Sequence, residues 1–127
     1  MTKRDIYNKI EEISAAVCDV SVEDIRNGCR KEDVITARTI VVFWCDAAGF
    51  SVESLLRCTD NTNANSINSI KARQEEYWTN KYAYHMLIKE VGMRLLDYAV
   101  SIGEDFDVWK PIDHMAKITG KYKYFHT

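Results

Sequence analysis

Asparagine, threonine and serine crowd one short stretch, Thr59-Asp60-Asn61-Thr62-Asn63-Ala64-Asn65-Ser66, just ahead of the helical spacing Ile67, Ile70, Tyr77, Trp78. One such side chain is enough to cap a helix. The surplus matters because amides and hydroxyls both give and take hydrogen bonds, which suits base edges and phosphates. Basic residues flank the stretch: Arg30, Lys31 and Arg38 before it, Lys71 and Arg73 after it. Guanidinium and ammonium groups are the usual phosphate partners. The plainer reading is a solvated loop with one cap. Arg30 and Arg38 would then pair with Glu32, Asp33 or Asp46, and Lys71 and Arg73 with Glu75 or Glu76.

No other set of residues suggests chemistry. Cys18, Cys29, Cys45 and Cys58 form no C-x-x-C pair, and His85, His114 and His126 do not complete a zinc set. His114 follows Asp113 directly, and such neighbours on a helix do not face each other. No G-x-x-x-x-G-K-[ST] loop occurs. The expectation is no catalytic residue, no metal, no cofactor and no nucleotide.

The elements that position these residues follow from periodicity. Ile6, Ile10, Ile13 and Val17 share one face of a first helix. Ser21 caps a short second helix that Asn27-Gly28 ends. The run from Asp33 to Gly49 is apolar on nearly every face, as a central helix is. Its β-branched segment TIVVFW also fits a strand, but about four unbroken turns favour a helix. Ser51 caps a short fourth helix, SVESLLR. Beyond the polar stretch and a break near Thr79-Asn80, a long amphipathic helix carries Tyr84, Leu87, Ile88, Val91, Leu95, Tyr98 and Ile102 and stops at Gly103. A last short helix runs from Ile112 to Thr119, stopped by Gly120. The aromatics Tyr122, Tyr124 and Phe125 pack the tail down or dock a partner.

With 127 residues, 5 glycines and 1 proline, the chain reads as an all-α helical bundle. Its expected division is a helix-turn-helix unit over residues 1–80 and a C-terminal helical extension over 81–127 packing on it. The formal charge of −2 leaves no overall basic footprint. Residues 21–60 carry five basic and seven acidic side chains, so nucleic-acid binding needs a local patch. The charged opening MTKRDIYNKIEEI and the lack of a long apolar run predict a cytoplasmic protein with reduced thiols and no membrane contact.

A short helix, a turn and a helix with a free tip is helix-turn-helix order. The segments VSVEDIRNGCRKEDVITARTIVVFW, GFSVESLLR and NANSINSIKARQEE carry it. Over roughly Ile10 to Glu76, a little over half the chain, they resemble the C-terminal DNA-binding domain of the bacterial replication initiator DnaA. RKEDVITARTI is similar to that family's R-K-x-x-V-x-x-A-R-Q helix start, and GFSVESLL to its G-x-S-L-x-E-I-G segment. The resemblance implies binding of double-stranded DNA in replication or transcription, in a bacterium or phage. It makes Arg30 the minor-groove arginine and Arg38 the arginine near the major groove and backbone. Lys31 and Thr39 belong to the same helix start, Thr39 standing where the family has Gln. Thr62, Asn63, Asn65 and Ser66 fall in the segment where the family has Arg-Asp-His-Ser/Thr-Thr. Lys71 and Arg73 follow as phosphate contacts. The family's ATPase domain leaves no trace. The competing expectation is a helix-turn-helix that has lost DNA and works as a protein-interaction or homodimer module through residues 81–127.

Overall fold

In the computed structural model, residues 2–59 and 63–120 are described, and they form seven helices with no strand among them. Asp60, Asn61 and Thr62 and the tail aromatics Tyr122, Tyr124 and Phe125 lie outside the described residues. The helices are α1 (Lys3–Cys18), α2 (Val22–Arg26), α3 (Glu32–Ala47), α4 (Val52–Cys58), α5 (Ala64–Asn80), α6 (Tyr82–Ser101) and α7 (Trp109–Thr119).

Local chemistry sets these boundaries. Thr2 and Asp5 form a reciprocal capping box at the start of α1. Ser21, Ser51 and Asn63 each accept the backbone N–H three residues on, starting α2, α4 and α5. Gly49, at φ 91°, turns the chain after α3 in a conformation that L side chains rarely adopt. The expected break at Thr79-Asn80 is the extended Lys81 between α5 and α6. α7 begins earlier than its apolar spacing suggested, because the Asp107 carboxylate accepts the N–H groups of Trp109 and Lys110, each at 3.0 Å.

α3 is the central helix. Nine of its residues are buried, from Val34 to Cys45, and α1, α2, α5 and α6 pack around it. TIVVFW is helical throughout. Trp44 is fully buried and its indole N–H donates to the Ile88 carbonyl of α6 at 3.2 Å. Gly92, one turn further along α6, leaves room for that indole. Trp78 is also fully buried, stacked near Phe43 and against His85. One apolar cluster runs from Tyr7 to Ala116 and draws on α1, α3, α4, α5, α6 and α7, so side chains on both sides of residue 80 share one core.

The buried face of α1 differs from the stripe read along the sequence. Tyr7, Ile10, Glu11, Ser14 and Ala15 are buried, while Ile6, Ile13 and Val17 sit at the margins. α1 is covered by both α3 and α6, which widens the buried strip and takes in polar positions. Glu11, 1% exposed, accepts from the Tyr7 hydroxyl on Oε2 at 3.1 Å. Its Oε1 takes Arg26 Nε at 2.9 Å and Nη2 at 2.7 Å. That pair ties α2 to α1.

Candidate nucleic-acid interface

The two helices that flank the polar stretch, α4 and α5, are each capped where they meet it. The Arg4 guanidinium of α1 donates to the Cys58 carbonyl at 2.8 Å, capping the C-terminus of α4 where the helix leaves carbonyls unpaired. The Thr59 hydroxyl donates to the Leu55 carbonyl at 2.9 Å. At the start of α5, Asn63 Oδ1 accepts from the Ser66 N–H at 2.9 Å. Ile67, Ile70, Gln74, Tyr77 and Trp78 anchor α5 in the core. Asn63, Ala64, Asn65 and Ser66 are exposed, so the tip of α5 stands in solvent.

Beside this tip lies a groove of about 560 Å³ between the end of α2, the flank of α3 and the first three turns of α5. Arg26, Arg30, Arg38 and Arg73 line it, with Asn63, Asn65, Ser66 and Ser69 along the α5 side. Among the described residues no aspartate or glutamate lines it. Four guanidiniums therefore converge in a chain whose formal charge is −2.

The four are held differently. Arg26 is satisfied by the buried Glu11. Arg38 is half-buried and donates to the Ile25 carbonyl at 3.1 Å and the Cys29 carbonyl at 3.3 Å. Burial holds its pKa below the ordinary guanidinium value, and the positive charge of Arg73 pushes the same way. Arg30 is exposed and Arg73 half-buried. Glu32, within electrostatic range of Arg73, is engaged by Lys81 and Tyr77, and hydrogen bonding to Lys81 keeps its carboxyl below the usual range.

The remaining expected site residues sit elsewhere. Thr39 is 0% exposed and its hydroxyl donates to the Ile35 carbonyl at 2.8 Å, so it is a core residue and cannot meet a surface ligand. The helix start places it one position past Arg38, which rotates it into the α3 core. Lys71 faces away from the groove and pairs with Asp46 at 3.4 Å. Lys31 is exposed at the N-cap of α3, outside the groove. The acid partners considered for Arg38 are replaced by backbone carbonyls. Arg26 and Ser69 were not singled out in the sequence. The only hint of Arg26 was its place four residues before Arg30, and its buried partner Glu11 has no signature in the pattern.

Compared with known proteins, the chain matches no family model, no curated protein and no solved structure. The site must be read from its own geometry. Elsewhere, no three His, Cys, Asp or Glu among the described residues come together to hold a metal. No helix among them is long and apolar enough to cross a membrane. His85 is buried and donates from Nε2 to the Trp78 carbonyl, near the C-terminus of α5.

Proposed function

We propose that the chain binds double-stranded DNA through the α4–turn–α5 unit, in the manner of the DnaA-like helix-turn-helix that its motifs resemble. One juxtaposition carries the reading: Arg30, Arg38 and Arg73 border the same groove as the exposed Asn63–Ser66 tip, and no acid among the described residues lines it. Guanidiniums beside a free helix N-terminus favour phosphate, since the helix dipole and the unpaired first-turn N–H groups add to their charge. Roles then divide. Arg30 and Arg73 hold phosphates. Arg38 lends charge from a position fixed by its two carbonyls. Asn63 is committed to its cap, which leaves Asn65 and the Ser66 hydroxyl to read base edges, Asn favouring adenine.

Fluorescence anisotropy with a labelled duplex over a salt series tests this. Two phosphate contacts and the added charge of Arg38 give a log–log slope of about −2 to −3. Arg73→Gln should weaken binding to every sequence and make the slope shallower by about 1. A mutant titration superimposed on the parent's removes Arg73 from the interface, and no binding at low salt removes the proposal.

A second reading has its own observation. All six large apolar side chains that are exposed among the described residues, Tyr82, Met86, Val100, Ile102, Trp109 and Ile118, lie within the C-terminal part of the chain. They suit a protein partner or a second copy. Size-exclusion chromatography with light scattering, with and without duplex, separates the two: a dimer that ignores DNA favours the second.

A further inference from the structure

We propose that the arginine groove is also a site for a small polyphosphate anion, a molecule carrying a di- or triphosphate chain, which would compete with nucleic acid for the same guanidiniums. The inference shares the groove with the DNA reading but does not rest on it.

Shape is the first support. A groove of about 560 Å³ falls in the range of small-molecule sites, roughly 300–1,000 Å³. A duplex meets a protein along its convex phosphate ridges and would engage the rim. The interior, where Arg38 is half-buried, is reached by something narrower.

Charge is the second. Arg26 is balanced by Glu11, which leaves Arg30, Arg38 and Arg73 facing the groove with no lining carboxylate among the described residues. Arg30 and Arg73 make no hydrogen bond or ion pair with any described residue, unlike Arg26 and Arg38. Arg73 is close enough to Arg38 for the two like charges to repel. An anion between them relieves that repulsion, and a planar guanidinium matches phosphate oxygens. A single phosphate brings about −1.5 to −2 at neutral pH, short of three guanidiniums. A longer phosphate chain matches them.

The third is the α5 tip. Asn63 satisfies the Ser66 N–H, while helix geometry leaves the Ala64 and Asn65 N–H groups without intrahelical acceptors. They give an anion at the groove mouth further donors. The missing phosphate-binding loop excludes that route to hydrolysis, but capture by guanidiniums does not need it.

Isothermal titration calorimetry of the full chain in phosphate-free, low-salt buffer tests the inference, with sodium tripolyphosphate, ATP and adenosine as probes. Tripolyphosphate and ATP are expected to bind one-to-one and adenosine not at all. Equal affinities assign the site to the phosphate chain alone, and tighter ATP assigns it to a nucleoside polyphosphate. Arg73→Gln should weaken both at least ~10-fold. Arg30→Gln, at an exposed position that leaves the core untouched, should do the same, while Lys117→Gln on α7 should not. No heat with either phosphate probe, adenosine binding as tightly as ATP, or equal loss in Lys117→Gln overturns the proposal. Tripolyphosphate binding without duplex binding keeps this inference and ends the DNA reading. The reverse keeps the DNA reading alone.

Discussion

Glu11 has donors on both carboxylate oxygens and almost no solvent. Removing a partner from such a group costs more than the pair contributes, because a charge is left in a medium that solvates it poorly. Arg26→Met should therefore destabilise the fold by about 3 kcal/mol, the lower part of the range for breaking a buried pair, since Arg26 itself is partly exposed. Adding Glu11→Met should restore part of the loss, because the stranded carboxylate is gone. Urea midpoints of the two single variants and the double variant measure the coupling, and strictly additive losses would contradict the burial argument. The same residue scale explains Thr39. Its neighbour Arg38 reaches the groove while its own hydroxyl satisfies the Ile35 carbonyl in the core. One step along a helix is about 100° of rotation, enough to separate a groove-lining residue from a core residue.

At the scale of elements, α3 and α6 meet where a glycine lets them. A Cβ built on Gly92 would lie 2.5 Å from Trp44 Cζ2 and 2.8 Å from Cη2. The indole cannot easily retreat, since its N–H is tied to the Ile88 carbonyl on the same helix. Gly92→Ala gains about 1 kcal/mol of helix propensity. Overpacking costs about 1–3 kcal/mol and should win, because the clash is with an anchored ring. The expected net loss of about 1 kcal/mol is read from thermal or urea unfolding, and a more stable variant would show that the α3–α6 contact yields easily. The α4–α5 unit depends on tying in a different way. Arg4 reaches from α1 to the end of α4, so that end is held by a helix distant in sequence. The Asn63 cap closes the first turn of α5, and Ile67, Ile70, Gln74, Tyr77 and Trp78 anchor that helix in the core.

Across the whole molecule, burial disfavours ionisation of several weak acids. Desolvation pushes the Cys18 thiol up to about 11, and pushes Cys45, Tyr7 and Tyr84 up further. These groups keep their protons in the folded chain at a pH where the unfolded chain has lost them. The folded state then binds more protons, so stability falls as pH rises. The fall should begin near the unfolded thiol value of 9.0 and steepen past the unfolded tyrosine value of 10.0. Each thiol contributes at most ~1.4 kcal/mol per pH unit over its own window. Cys18's window closes near 11, where its folded form also ionises. Urea midpoints between pH 7 and 11 should be level at first and then descend. Cys18→Ala should flatten the descent between 9 and 11. A flat curve to pH 11 would mean that these side chains are more hydrated than their packing implies.

The helical class, the starts of α2, α3, α4 and α6 and the stops at Gly28, Gly49, Gly103 and Gly120 were legible in the sequence, because caps, glycines and apolar spacing act over a few residues. The seventh start hinged on Asp107, a cap whose place ahead of a weak apolar pattern was easy to pass over. Of the candidate site, an exposed α5 tip was expected from the polar surplus ahead of that helix, and Arg30 and Arg38 beside it from the resemblance; the place of Arg73 in the same groove was not anticipated. The burial of Glu11, its hold on Arg26, the inward turn of Thr39 and the departure of Lys71 to Asp46 were not. Periodicity reports that a helix has an apolar side. How far that side is rotated, and which distant helix covers it, is decided only when all the helices compete for one core.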